Sequence, residues 1–251
     1  LTWRFQQEEN RKRPEEAGNH HHHRRLRLTS SAPNWNRPEP GGQPMLKILG
    51  RSSSINVQKV MWCAAELGAE VERIDIGGKY GGNDSAEYLA KNPNGLVPTM
   101  EDGKVVLWES NTIVRYLAET RATPPWFATD AAGRGLASQW MDWYLTRMHP
   151  PMTVIFMGKV RTAPEDRDRD AEKKAAEQAG RMWRLVDAQL EKHDFITGDE
   201  PTIGDIPIGC SANRWHLLDV DRPALPRLQA YYQRLKERPA YRQHVASITM
   251  E

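Results

Sequence analysis

A chain of 251 residues with 39% hydrophobic and 27% charged side chains can bury a substantial core, as one large or two small domains. No run approaches the roughly 18 to 20 apolar residues of a membrane span and no apolar secretory core opens the chain, so the expectation is a cytoplasmic protein without a membrane partner. The formal net charge is +2, but the first 44 residues hold 8 basic and 5 acidic side chains, which leaves 27 and 28 for the rest. That balance gives no reason to expect a nucleic-acid surface.

Residues 1–44 show no sustained hydrophobic period, are rich in charge, Pro and Gly, and stop abruptly before "MLKILG". They read as a disordered, dispensable extension ahead of a core that starts at Met45. Glu mixed with Arg argues against a transit peptide. His20 to His23 within it read as a tag-like or chance tract rather than a spaced metal site, and no metal is expected elsewhere. Cys63 and Cys210 are too few for a disulfide framework and form no C-x-x-C pair.

From Met45 the pattern becomes regular. "LKIL" predicts a short strand, and "NVQKVMWCAAEL" a helix with Val57, Val60, Met61, Ala64 and Leu67 on one face and Gly68 as its stop. "VERIDI" predicts a second strand and completes a β-α-β unit. The glycines of "GGKYGG" lack the spacing of a phosphate loop and read as a mobile surface loop. "SAEYLAKN" predicts a short helix ended by Asn92-Pro93-Asn94-Gly95. A hairpin follows, with Pro98 to Met100, a turn at Glu101-Asp102-Gly103 and a return strand from Lys104 to Leu107. "ESNTIVRYLAET" closes the unit as a helix, and β-α-β-α-β-β-α is a thioredoxin-like order.

The second half reads as helical. "LASQWMDWYLTRMHPP" places Leu136, Trp140, Trp143, Tyr144 and Met148 on one face of a helix that ends at Met148-His149-Pro150-Pro151. That stripe is either core packing or the wall of an apolar cleft. Thr162 with Glu165 predicts a capping box opening a long amphipathic helix, and Thr202 with Asp205 repeats the box before Ile206 in a structural role.

Two motifs carry chemistry. Ser110 after Glu109 opens a helix, where a serine caps and an acidic residue complements the dipole. Ser52, Ser53 and Ser54 precede the first helix, where Ser54 is a plain capping residue or an active-site hydroxyl.

"NPNGLVPTMEDGKVVLWESNTIVRYL", with its N-P-x-G-x-V-P and E-S signatures, resembles the N-terminal domain of soluble glutathione transferases, and "FITGDEPTIGDIPIG" resembles their C-terminal domain. The resemblance implies an α/β thioredoxin-like glutathione-binding domain over 45–122 and an all-α helical domain over 128–251. It further implies a cis bond at Val97-Pro98, with Val97 pairing to the cysteinyl unit of glutathione, and Glu109 and Ser110 receiving the γ-glutamyl group. The spacing S-x-x-x-x-[KR]-V at Ser54, Lys59 and Val60 resembles the serine-using bacterial classes. By that likeness Ser54, assisted by Asn56, stands beside the sulfur, and Lys79 is the candidate for the glycyl carboxylate. Trp140, Tyr144 and Met148 become the candidate pocket for a hydrophobic electrophile. The implied protein is a homodimeric detoxifying transferase with glutathione as co-substrate. A non-catalytic binding or regulatory protein on the same fold is the alternative.

Overall fold

A computed structural model describes residues 45–251. The readings of residues 1–44 and of His20 to His23 lie outside the described residues.

Strand β1 (Leu46–Leu49) is followed by helix α1 (Ile55–Glu66), strand β2 (Val71–Ile74), helix α2 (Ala86–Lys91), strands β3 (Thr99–Asp102) and β4 (Val105–Trp108), and helix α3 (Ser110–Arg121). Apolar residues at helical spacing dictate α1. Val57, Val60 and Ala64 are wholly buried, and Gly68 at φ +64° ends the helix by closing back onto its last carbonyls. The four strands lie in the order β2-β1-β3-β4. β1 pairs parallel with β2 and antiparallel with β3, setting Ile48 opposite Met100, and β3 pairs antiparallel with β4. The expected thioredoxin-like order is therefore present. Within "GGKYGG", Gly78–Tyr80 form one 3-10 turn on the surface.

The helical half comprises α4 (Ala131–Trp143), α5 (His149–Phe156), α6 (Arg169–Gln189), α7 (Asp205–Leu217), α8 (Pro226–Glu237) and a last short turn, α9 (Pro239–Tyr241). Two boundaries differ from expectation. The helix through Trp140 does not stop at Pro150-Pro151, because a widened π turn over Tyr144–Met148 carries it into α5. In that turn the His149 N–H bonds the Tyr144 carbonyl, and the extra residue spares the prolines the carbonyl clash of a regular α turn. The long helix begins at Arg169 rather than after Thr162. Asp168 caps it by accepting from the Ala171 N–H at 2.9 Å, while Pro164–Asp166 turn separately and the Thr162 hydroxyl donates to the Met157 carbonyl. The Thr202–Asp205 box is present as read. The Asp205 carboxylate accepts from the Thr202 N–H, and the Thr202 hydroxyl accepts from the Gly204 N–H. Asp205 also accepts from the Ile196 N–H and the Tyr231 hydroxyl, so one buried carboxylate pins three segments.

Helix α7 packs on α1 and joins the halves. Gly209 makes this possible, since a Cβ there would meet Trp62 and Leu235 at 2.8 Å. Trp62 packs edge-on against Trp126 and Tyr241. At the far end of α1, Glu66 accepts two hydrogen bonds from Arg238, at 2.7 and 2.6 Å, and one from Trp62 at 2.9 Å.

Candidate active site at the start of the first helix

The site lies where β1 gives way to α1. Ser54 occupies the cap position, yet its hydroxyl makes no capping bond. It is largely buried, and its carbonyl accepts from the Gln58 N–H. A capping serine would spend its oxygen on a first-turn N–H, so the uncommitted hydroxyl favours the active-site alternative. The turn beneath it is fixed from elsewhere: Gln58 donates to the Ser52 carbonyl at 3.1 Å and Arg214 of α7 to the Ser53 carbonyl at 3.3 Å.

Asn56 joins two helix starts. Its Oδ1 accepts from Lys59 Nζ at 3.0 Å and from the Ser110 hydroxyl at 3.3 Å. With the oxygen so engaged, the amide's NH2 is directed away from both partners. The α3 end differs by one residue from expectation, because Glu109 rather than Ser110 is the cap residue. Glu109 is exposed and has φ +69°, the one non-glycine residue with positive φ among those described. Such a conformation is unfavourable for a side-chain-bearing residue and clusters at functional sites.

Val97-Pro98 is cis, as expected, and so is Pro124-Pro125, which the sequence did not suggest. A buried polar network holds the loop before Val97. Tyr88 donates to the Leu96 carbonyl at 2.6 Å, and Asn92 donates to the same carbonyl at 2.8 Å and to the Thr99 hydroxyl at 3.1 Å. The Asn94 N–H in turn bonds Asn92 Oδ1. The N-P-N-G stretch is thus both a helix breaker and the clamp on the loop carrying Val97.

Lys79 does not face the serines freely. It is exposed and pairs with Glu251 at 2.9 Å. The basic group that lies along the glycine pair is Arg51: a Cβ at Gly78 would meet its Cδ and Nε at 2.9 Å, and Gly78 already has φ +59°. Arg51 Nε is buried without a hydrogen-bond partner.

The proposed pocket face divides. Tyr144 and Met148 are wholly buried and belong to the core, so they do not form the wall of an open cleft. Trp140 remains partly exposed and meets Trp143 edge to face. The Tyr144 ring carries Lys59 over its face at 4.5 Å, and its hydroxyl lies 3.2 Å from His149 Nδ1.

Around these residues sits a cationic group that sequence reasoning missed. Lys59 is wholly buried, and burial, with Arg214 adding to it, brings its ammonium down to about 8. Burial brings Arg214 down to about 10, helped by the charges of Arg161 and Arg51. His149 falls to about 4 for the same reasons, burial first and then Lys59 and Arg214, so its ring is neutral at pH 7. Cys210 and Cys63 are buried in the core, and burial pushes the Cys210 thiol up to about 12 and raises Cys63 as well. The available signal was Arg214 itself, a lone strong cation following a run of small and apolar residues in α7.

Comparison with known proteins places both halves of the chain. The family description "Glutathione S-transferase, N-terminal domain" matches residues 44–119, and "Glutathione S-transferase, C-terminal domain" matches residues 164–234. Glutathione S-transferase GstB of Escherichia coli is 39% identical over 203 residues, spanning 80% of this chain and 98% of that protein. Glutathione S-transferase 3 of Zea mays is 29% identical over 223 residues, 82% of this chain and 95% of that protein. A theta class glutathione S-transferase from Xanthomonas axonopodis pv. citri, solved with glutathione bound, superposes with a TM-score of 0.80 at 42% identity, covering 83% of this chain and all of that one. Both halves of the fold thus find the same relatives, and the chain belongs to the glutathione S-transferase family.

Proposed function

We propose that this glutathione S-transferase binds reduced glutathione along Val97-Pro98 and the α3 start, holds it as the thiolate beside Ser54, and directs the sulfur at an electrophilic carbon of a second, largely apolar substrate. The observation that carries this reading is the Ser54 hydroxyl, left unbonded at the N-terminus of α1. Glu109 and Ser110 suit a zwitterion, with the carboxylate facing the γ-glutamyl ammonium and the helix start receiving its carboxylate. Lys79 or Arg51 would meet the glycyl carboxylate, Lys79 only by exchanging its bond to Glu251.

Magnitudes support the chemistry. A thiol with an ordinary pKa of about 8.5 needs about 2.7 kcal/mol to fall by two units. A hydroxyl hydrogen bond to a charged sulfur contributes roughly 1.5 to 3 kcal/mol and a helix N-terminus about 0.3 to 1. The buried Lys59 ammonium, which no carboxylate neutralises by a salt bridge among the described residues, adds attraction of the same sign. The C–S bond forms from the thiolate pair as the leaving group or π bond of the electrophile accepts electrons. Family membership also underlies a cytoplasmic, homodimeric, detoxifying role. Among the described residues no helix is long and apolar enough to cross a membrane, and sedimentation equilibrium of the full chain tests the dimer.

The deciding experiment is an ultraviolet pH titration of bound glutathione on the wild type and on Ser54→Ala. The expected result is a bound thiol titrating well below free glutathione, with most of the shift lost in the variant. An unshifted thiol at saturating glutathione would refute the catalytic reading and favour a binding protein.

A further inference from the structure

Two guanidinium groups meet at the serine turn, and a third acts on both from a neighbouring element. Arg51 belongs to the turn itself, Arg214 comes from α7, and Arg161 ends the π turn that continues α5. Arg214 donates to the Ser53 carbonyl at 3.3 Å and stands over the Phe156 ring at 4.0 Å, with Arg161 5.8 Å from the same ring. Their charges repel: Arg161 disfavours the charged forms of both Arg51 and Arg214. Among the described residues none of the three, nor Lys59 behind them, forms a salt bridge to a carboxylate. Glu251 attracts Arg51 from a distance, but its hydrogen bond goes to Lys79.

Gathering like charges in a half-buried corner without counter-charge is costly, and such an arrangement suits an anion that arrives with a ligand. On the reading above, glutathione's own charges are met by Glu109 and Ser110 at the γ-glutamyl end and by Lys79 or Arg51 at the glycyl end, which leaves Arg161 and Arg214. Resting on the transferase reading above, we propose that Arg161 and Arg214, with the Phe156 ring between their contacts, form the anion-receiving half of the electrophile subsite. The preferred second substrate is then an apolar or aromatic electrophile that carries a carboxylate. The carboxylate meets the guanidinium groups, which the buried Phe156 ring backs, and the reactive carbon faces the sulfur beside Ser54. For an aryl chloride the thiolate pair forms the C–S bond, the C–Cl bond breaks, and chloride leaves with its electron pair.

The test uses a matched pair, para-chloro-meta-nitrobenzoate and para-chloro-meta-nitrobenzamide, at saturating glutathione. Each kcat/KM is divided by the uncatalysed rate with glutathione, which removes the difference in intrinsic reactivity. The expected wild-type ratio favours the benzoate by roughly tenfold to a hundredfold, the range of one charge-assisted hydrogen bond. Arg161→Gln and Arg214→Gln should each lower that ratio about tenfold, and Arg161→Lys should restore part of it. Arg161 is exposed, so its variants remain informative if Arg214→Gln fails to fold. A ratio at or below one, or one unchanged by both Gln variants, overturns the proposal. So does a fall in glutathione affinity with the ratio intact, which would assign the cations to glutathione. Calorimetric binding of unreactive meta-nitrobenzoate against meta-nitrobenzamide separates this inference from the transferase reading. A preference for the anion that Arg161→Gln abolishes supports the subsite even if neither chloride is turned over, and equal binding of the two overturns it.

Discussion

Replacing Lys59 by Met tests whether the buried ammonium exists for the thiolate. Burial lowers Lys59 from 10.5 to about 8, so keeping it charged at pH 7 costs the fold about 3 kcal/mol. The sign follows from linkage: the folded state holds fewer protons than the unfolded one between about pH 8 and 10.5. The penalty is therefore present in full below that window and fades as pH rises through it. Met keeps the volume and removes the penalty, but forfeits the bond to Asn56 and the contact with the Tyr144 ring, each about 1 kcal/mol. Urea denaturation should show Lys59→Met about 1 to 2 kcal/mol more stable than the wild type at pH 7, with the advantage gone or reversed near pH 10. The bound thiol should meanwhile lose its help. A unit charge at a separation on the order of 6 Å, with an effective dielectric of about 20, is worth about 2.8 kcal/mol, or about two pKa units. A variant less stable by the same amount at both pH values, with an unchanged bound-thiol pKa, would refute the reasoning and leave Lys59 a packing residue.

Asp205→Ala strips acceptors from the Ile196 and Thr202 N–H groups and the Tyr231 hydroxyl, and should cost about 3 to 5 kcal/mol by urea denaturation. Glu66→Ala leaves Arg238 and the Trp62 N–H without their carboxylate and should cost about 2 to 4 kcal/mol in the same assay. Asn92→Ala should loosen the Val97 loop and weaken glutathione binding by about tenfold in calorimetry, because the Leu96 carbonyl and Asn94 N–H lose a partner. Gly78→Ala should lower glutathione affinity by displacing Arg51, on which the new Cβ would impinge.

Local chemistry made much of the first domain legible. The apolar face of α1, its Gly68 stop and the hairpin turn at Gly103 are all decided by neighbours in sequence, and so was the Thr202–Asp205 box. The misses came where distant segments compete. Thr162 had the spacing of a helix start, but Asp168 caps a helix that Pro164 does not interrupt, and Arg167 donates to the Lys159 and Thr162 carbonyls left at the preceding end. Pro150-Pro151 read as a stop because the π turn that absorbs them has no sequence signature. Tyr144 and Met148 were read on one face with Leu136, but they continue the buried row of Ala137 and Met141 at regular helical spacing, and Leu136, one residue off that row, is exposed. Arg214 could not be placed at the serine turn, since its position depends on Gly209 admitting α7 close to Trp62.

Ser54 links these observations to one physical point. A helix start whose cap bond is unmade gives up about 1 kcal/mol of stability, and α1 begins at Ser54 regardless because its buried face and the clamps from Gln58 and Arg214 hold the turn. The polar groups that a cap would have consumed, one hydroxyl and the first-turn N–H groups, are left for a guest, in a corner where Lys59 and Arg214 stay charged at a cost to the folded chain. A guest anion would satisfy the open hydroxyl and offset the buried positive charge together. Glutathione binding should therefore raise the melting temperature by more than simple occupancy at Ser54 alone predicts, and that increment should shrink in Lys59→Met, whose corner no longer needs a counter-charge. Thermal shifts measured against glutathione concentration for wild type, Ser54→Ala and Lys59→Met separate the two contributions. Equal ligand-induced shifts in all three would mean that the open cap and the buried ammonium are independent of the ligand.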